Sequence, residues 1–109
     1  MKVWHNTLKE RFIEFPVHQH LLMICNELNR AGNLLNDTQE YKNCLERALE
    51  LLDYSVYSGV WMAKYKEILR ARGLIAYSYV SPPSKTKELQ KILISLNTEA
   101  FQIVNGKLL

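Results

Sequence analysis

The sequence predicts an all-α protein: an antiparallel up-and-down four-helix bundle with a short extra N-terminal helix, in a single domain spanning residues 1–109. Four stretches carry apolar residues at alternating spacings of three and four, which is the period of one face of an α-helix. Breaks separate these stretches at Asn36–Thr38, Ser58–Val60 and Ser81–Ser84. The chain has only four glycines and three prolines, which favours a few long helices over many short strands joined by turns.

The N-terminal helix is expected over about 8–15. Thr7 and Glu10 have the spacing of a capping box, in which each side chain binds the backbone N–H of the other residue. Pro16 should end or kink this helix, because the proline ring disfavours helical backbone just before it.

The second helix is predicted from about Val17 to Leu35, and Asp37 with Glu40 forms the expected N-terminal cap of the third. Each has one apolar stripe. The stripe of the second helix is Val17, Leu21, Ile24, Leu28, Ala31 and Leu35, and that of the third is Tyr41, Leu45, Ala48, Leu52 and Ser55.

At Ser58-Gly59 the apolar pattern moves to roughly the opposite helix face. A turn centred on Gly59 explains this most simply, because glycine commonly ends helices. A single long helix with two opposite packing faces is the alternative.

The next stripe contains an arginine at its centre: Trp61, Tyr65, Ile68, Arg72, Ile75 and Tyr79. This spacing predicts that Arg72 is a buried polar residue, which is costly unless the guanidinium is paired or reaches water. Three interpretations remain open. Arg72 reaches water from the end of a layer, pairs inside the bundle with Asp53 or Glu27, or faces an oligomer interface or ligand.

The last helix follows Ser81–Ser84 and is expected to end near Asn105, with the stripe Leu89, Leu93, Leu96, Ala100 and Ile103. Further apolar residues lie off the main stripes, which suggests a second buried surface. We therefore predict a homo-oligomer whose interface includes Leu74, Ile94 and Phe101.

The composition is that of a globular protein, with 48% hydrophobic and 23% charged residues. No segment approaches the ~18 uninterrupted apolar residues of a membrane span, and the N-terminus lacks the apolar run of a signal peptide. Cys25 and Cys44 form no Cys-x-x-Cys motif and are expected to be reduced core thiols. The sequence therefore predicts a cytoplasmic protein with no membrane partner.

No motif indicates catalysis or binding of a cofactor or metal. His18 and His20 are two residues apart, so on a helix they point in different directions. No Gly-rich phosphate loop and no nucleophile–base set occurs in the sequence. We therefore expect no enzymatic activity, no catalytic residue, no cofactor and no metal.

Charge is unevenly distributed along the chain. Residues 1–55 carry six basic and eight acidic side chains, whereas residues 56–109 carry eight basic and three acidic ones. If the last two helices form a hairpin, their outer faces share a basic surface with one aromatic ring, which is typical of contacts to RNA or DNA phosphates. The residues of this predicted surface are Lys66, Arg70, Tyr77, Lys87 and Lys91. A solvated charged face is the alternative.

Several short segments resemble one family of four-helix bundles. Phe15-Pro16, followed by a helix containing Asn29-Arg30-Ala31, resembles the first hairpin of the 23S ribosomal RNA intervening-sequence proteins, and Glu40-Tyr41 with Leu45 and Ala48 resembles their next helix. Leu69-Arg70 and the closing helix are similar in layout to the accessory variability proteins of diversity-generating retroelements.

That resemblance implies a pentameric barrel of four-helix bundles that binds nucleic acid through a basic surface. Two family motifs are missing from this sequence: the Asn-Ile-Ala-Glu-Gly segment of the intervening-sequence proteins and the Gly-Gly-Trp ending of the accessory variability proteins.

The sequence thus predicts a non-enzymatic, self-associating helical bundle that acts as a binding or scaffolding module. One version binds nucleic acid through the basic surface, and the alternative is a protein–protein adaptor that uses Leu74, Ile94 and Phe101. A small enzyme is a third interpretation, and it would require a deep polar pocket.

Overall fold

The computed structural model describes residues 9–59, 61–80, 86–97 and 100–101, apart from the side chains of residues 9 and 86–88. Within these ranges the chain is helical and contains no strand, which confirms the predicted all-α class. The elements are α1 (Lys9–Phe12), α2 (Val17–Asn33), α3 (Thr38–Tyr57), a 3₁₀ turn (Met62–Lys64), α4 (Tyr65–Val80) and α5 (Thr86–Ile94). Helices α2 and α4 each pack against both α3 and α5.

Helix α1 is shorter than predicted. It ends at Phe12, and two turn hydrogen bonds follow, from the Glu14 and Phe15 amides to the carbonyls three residues earlier. Pro16 has extended backbone, with φ −58° and ψ 152°, and α2 begins directly after it. The residue before a proline avoids helical backbone, which explains the early end. Thr7, the other half of the predicted capping box, lies outside the described residues.

The cap of α3 and the turn after it agree with the sequence. The Asp37 carboxylate accepts a hydrogen bond from the Glu40 amide at 3.1 Å, so Asp37 is the N-cap of α3. Gly59 has φ +81°, a conformation that glycine adopts without steric cost. Residues 38–80 therefore form two long helices joined by a turn, and the alternative of one continuous helix is wrong.

Helix α4 is rotated from the predicted orientation. Its buried residues are Ile68, Ala71, Ile75 and Ser78, so the stripe runs through two small residues instead of Arg72 and Tyr79. Small side chains allow α4 to approach its neighbours closely, and the Tyr41 hydroxyl donates to the Ser78 carbonyl at 3.0 Å. Arg72 is consequently half-exposed, and its prediction as a buried residue is wrong.

The last helix also differs from the prediction, because α5 ends at Ile94. The Ser95 hydroxyl donates to the Ile92 carbonyl at 2.6 Å, and the Asn97 side-chain oxygen accepts from the Ala100 amide at 2.9 Å. Serine and asparagine side chains offer the backbone such alternatives to helical hydrogen bonds. Helical backbone resumes at Ala100. The predicted break at Ser81–Ser84 and the stripe residue Ile103 lie outside the described residues.

Polar side chains inside the core join several elements. Nε2 of His20 donates to the Phe12 carbonyl at 2.8 Å, and its Nδ1 lies 2.8 Å from the Ser55 hydroxyl. The Trp61 indole donates to the same hydroxyl. The chain of contacts thus connects α1, α2, α3 and the segment before α4. It lies among the fully buried apolar side chains Phe12, Leu21, Ile24, Leu28, Leu45, Leu52, Ile68, Ile75 and Leu93.

Candidate functional site

The exposed face of α4 is the main candidate for a functional site. Five exposed residues lie on it: Lys66, Leu69, Arg70, Tyr77 and Val80, which we call the α4 face. At about 100° per residue they fall within roughly a 100° arc, opposite the buried stripe of the same helix. Tyr77 is 67% exposed and Val80 is 77% exposed. The face therefore presents two cations together with aromatic and aliphatic surface.

Exposed apolar side chains are concentrated in this part of the molecule. Among the described residues, ten large hydrophobic side chains are exposed, and eight of them follow residue 60. These eight are Met62, Tyr65, Leu69, Leu74, Tyr77, Val80, Ile92 and Phe101. By contrast, the longer helix α3 contributes only Tyr57. A contiguous exposed apolar area of this kind is typical of an interaction surface.

The two cations of the α4 face are available for a ligand. Within the described part of the chain neither Lys66 nor Arg70 forms an ion pair, and neither binds the neighbouring Glu67. Nearby cations are used internally: the Lys64 ammonium donates to the Leu96 carbonyl, and Arg72 binds Asp53. The site therefore has two uncompensated positive charges beside exposed rings.

The predicted basic surface is only partly described. Lys66, Arg70 and Tyr77 share the α4 face. Lys91 is exposed on α5, directly after Gln90, which lines a groove against α2. The backbone of Lys87 belongs to α5, but its side chain lies outside the described residues. A continuous basic surface across both helices therefore stays a prediction.

The residues predicted for the oligomer interface separate into two environments. Leu74 and Phe101 are exposed, as the prediction requires. Ile94 is only 6% exposed and belongs to the core, so its assignment to the interface is wrong. The reason is that α5 packs against both α2 and α4, so two of its flanks are covered.

Arg72 has the partner that one of the three interpretations named. Its Nε donates to one oxygen of Asp53 at 2.6 Å and a terminal nitrogen donates to the other at 3.1 Å. The side chains are 38% and 49% exposed, so the pair lies at the edge of the α3–α4 seam. The Asp53 hydrogen bond raises the pKa of the Arg72 guanidinium further.

A second charged cluster joins α2 and α3. The Glu27 carboxylate, almost fully buried, accepts from Arg47 at 2.8 Å and from Arg30 at 3.0 Å. Burial alone would lower the pKa of Arg47, but its hydrogen bond and attraction to Glu27 outweigh burial and raise the pKa. Every charge in this cluster has an opposite partner, so we assign the cluster to helix packing.

The chemistry of metals and thiols finds little support in the described residues. They contain no group of three or more His, Cys, Asp or Glu side chains able to hold a metal ion. Cys25 and Cys44 are both free and buried. Burial raises the pKa of the Cys25 thiol to about 12, which keeps the sulfur protonated and a poor nucleophile. No described helix is both long and apolar enough to cross a bilayer.

Sequence reasoning misses most of the apolar part of the α4 face. The predicted stripe does not single out Leu69 or Val80, and it places Tyr65 on the buried side although Tyr65 is exposed. The missing signal is the spacing Ile68, Ala71, Ile75 and Ser78, which defines the true buried side. Alanine and serine are easily overlooked as core residues, because small side chains contribute little to an apolar pattern.

Comparison with known proteins gives one partial similarity. The chain is 34% identical over 71 residues to a subunit of eukaryotic translation initiation factor 3 from Drosophila melanogaster, and equally to the same subunit from Drosophila mojavensis. The match covers 64% of this chain, but the chain spans only about 6% of the length of these curated relatives. No family model matches the chain, and no solved structure matches it significantly.

Proposed function

We propose that the chain is a non-enzymatic binding module that holds single-stranded RNA on the α4 face. The observation that carries the proposal is the exposure of Lys66 and Arg70 beside Tyr77 on one helix face. Neither cation forms an ion pair with a described residue, so a phosphate would not have to displace a carboxylate. The excess of basic residues after residue 55 favours an anionic partner in the same region.

The chemistry of the α4 face suits a flexible strand. Lys66 and Arg70 supply charge for two phosphates, and the Tyr77 ring supplies a surface on which a base can stack. Leu69 and Val80 add apolar contact area for a neighbouring base or ribose. Such contacts read no particular base edge, so binding should tolerate many sequences.

The partial relatives are compatible with this proposal. Their name describes a subunit of a translation initiation factor, which is a component of an assembly. A module that binds RNA or protein fits that setting. We further propose that α2 to α5 form the predicted antiparallel bundle, which is supported by the packing of α2 and α4 against both α3 and α5.

A second candidate function is that of a protein adaptor, with a second copy of the chain among its partners. Leu74, Ile92 and Phe101 favour it, because they are exposed on or after α4 and carry no charge. Apolar docking and phosphate binding differ in salt dependence, since only phosphate contacts release condensed counterions.

A salt titration separates these functions. Fluorescence anisotropy with a labelled 12-nucleotide poly-U strand should show log K falling linearly with log salt concentration. The Lys66→Gln, Arg70→Gln variant should reduce the magnitude of this slope by about two, one for each lost phosphate contact. The control Arg11→Gln, Arg30→Gln removes the same charge from α1 and α2, and it should change the slope by less than about half a unit.

The Tyr77→Leu variant tests stacking independently of charge. It should weaken binding about five- to tenfold without altering the salt slope. The proposal fails if the two double variants lose equal affinity, because binding would then follow net charge alone. It also fails if wild-type protein does not bind the strand at low salt. A mass that rises with concentration in sedimentation experiments would then favour the adaptor.

A further inference from the structure

A groove lies between α2 and α5, on elements other than the α4 face. Its volume is about 320 Å³, close to the lower limit for a small-ligand site. The lining consists of Gln19, Leu22, Met23, Cys25, Asn26 and Asn29 from α2 and Gln90 from α5. Four of these seven residues carry a carboxamide, two are apolar, and the cysteine is buried beneath them.

The groove lining contains no ionisable side chain except the Cys25 thiol. That thiol is buried beside the Gln90 carbonyl, 3.8 Å from its oxygen, and it stays protonated. An exposed helix surface ordinarily carries lysine and glutamate, and charged residues make up 23% of this chain. Depletion of charge on an exposed surface is a feature of the central part of protein interfaces.

The groove carboxamides are free to bind a ligand. Within the described part of the chain, the side chains of Gln19, Asn26, Asn29 and Gln90 form no hydrogen bond. Carboxamides elsewhere in the same part are engaged. The Gln39 side chain donates to Asn43, Asn43 donates to Glu40, and Asn97 caps the turn at Ala100.

We propose that this groove binds the backbone of an extended, uncharged peptide segment from a partner protein. A carboxamide carries a donor and an acceptor in one plane, as a peptide group does, so the two can pair through two hydrogen bonds. An extended segment leaves its own N–H and C=O groups unpaired and can offer them to Asn26 and Asn29 on one side and Gln90 on the other. Leu22 and Met23 then contact its small apolar side chains, and methionine adapts to differing shapes.

Other ligand chemistries fit the groove less well. A phosphate or carboxylate would find no cation in the lining, and it would lose hydration without compensation. A nucleobase can pair with asparagine or glutamine, but no aromatic ring lines the groove to stack on it. The inference is therefore independent of RNA binding by the α4 face, and either can fail without the other.

The test uses two matched peptide libraries and the complete chain. The first library contains hexapeptides of Ala, Ser, Leu, Asn and Gly with both ends blocked. The second has the same composition with alternate backbone nitrogens methylated, which removes donors without adding charge. Wild-type protein should retain members of the first library, and methylation should weaken binding at least about tenfold.

NMR spectra locate the binding. Titration with a retained peptide should shift the side-chain amide signals of Asn26, Asn29 and Gln90 and leave those of Gln39 unchanged. The Asn26→Asp, Asn29→Asp variant should bind at least about tenfold more weakly, because each carboxylate lacks the donor and adds charge. Asn36→Asp makes the same chemical change in the exposed turn after α2 and should bind as wild type.

Four results would overturn the inference. They are equal retention of methylated and unmethylated peptides, no retained peptide, shifts confined to residues outside the groove, and shifts of the groove signals with protein concentration alone. The last would identify a second copy of the chain as the occupant. The methylated library does not depend on any variant, so it decides the question even if the double aspartate variant folds poorly.

Discussion

His20 and Ser55 are joined across α2 and α3 by a buried hydrogen bond of 2.8 Å in which the hydroxyl donates to Nδ1 of the imidazole. The direction follows from the other nitrogen, because Nε2 faces the Phe12 carbonyl, which can only accept. The ring is therefore neutral in the folded protein. Burial lowers the pKa of His20 below its ordinary value, against the opposing effect of hydrogen bonds to the Phe12 and Phe15 carbonyls.

The neutral state of His20 predicts that acid destabilises the fold. The unfolded chain binds a proton at this histidine near pH 6.5, whereas the folded chain does not. This contribution to stability is thus complete above pH 6.5 and is lost as pH falls through the lowered pKa. The free energy of unfolding, measured by urea titration, should fall with a slope of at most about 1.4 kcal/mol per pH unit from this group.

The His20→Gln variant is the control for that experiment. Glutamine keeps a donor and an acceptor but does not titrate, so the difference between variant and wild type isolates His20 from the other histidines. The variant should be less stable at pH 7.5 and less sensitive to pH between 7 and 5.5. Identical pH dependence in both proteins would contradict the assignment.

The Arg72–Asp53 pair should contribute little to stability despite its two hydrogen bonds. Both side chains are substantially exposed, so water and salt screen their attraction. A double-mutant cycle with Arg72→Ala and Asp53→Ala should give a coupling free energy of about 0.2–1 kcal/mol, which falls on addition of salt. A coupling above about 2 kcal/mol would mean that the pair is more deeply buried in solution.

Ile94 and Leu74 should respond very differently to truncation. Ile94 is buried in the core, so Ile94→Ala should reduce the free energy of unfolding by about 2–4 kcal/mol. Leu74 is exposed, so Leu74→Ala should change it by less than about 0.5 kcal/mol. Similar small effects of both changes, measured by denaturant unfolding, would return Ile94 to the surface.

Two glycines provide a matched pair for backbone conformation. A Cβ at either position meets no atom within 4 Å, so packing does not distinguish them. Gly59 has positive φ, and Gly59→Ala should destabilise the fold by about 1 kcal/mol. Gly73 lies inside α4, where Gly73→Ala should stabilise by about 0.5–1 kcal/mol. Thermal unfolding should therefore shift in opposite directions, and shifts of the same sign would contradict the assigned backbone.

The candidate site was only partly predictable. Lys66, Arg70 and Tyr77 could be assigned to one exposed face because their spacing follows the helical repeat. The apolar half of that face could not be, because the predicted stripe was rotated towards Arg72. The α2–α5 groove was also beyond prediction, since Gln90 joins Asn26 and Asn29 only when two distant helices pack together.

The sequence by itself determined the local structure: an all-helical chain, the cap at Asp37, the turn at Gly59 and the ends of α2 and α3 within a few residues. These features depend on the helical repeat and on interactions between residues at most four apart. Only the tertiary structure decided how far each helix is rotated, and thus that Ile94 is buried, that Arg72 reaches the surface and that Ser55 meets His20. Rotation depends on how closely two helices approach, and here the small residues Ala71 and Ser78 allowed α4 to turn its larger side chains outward.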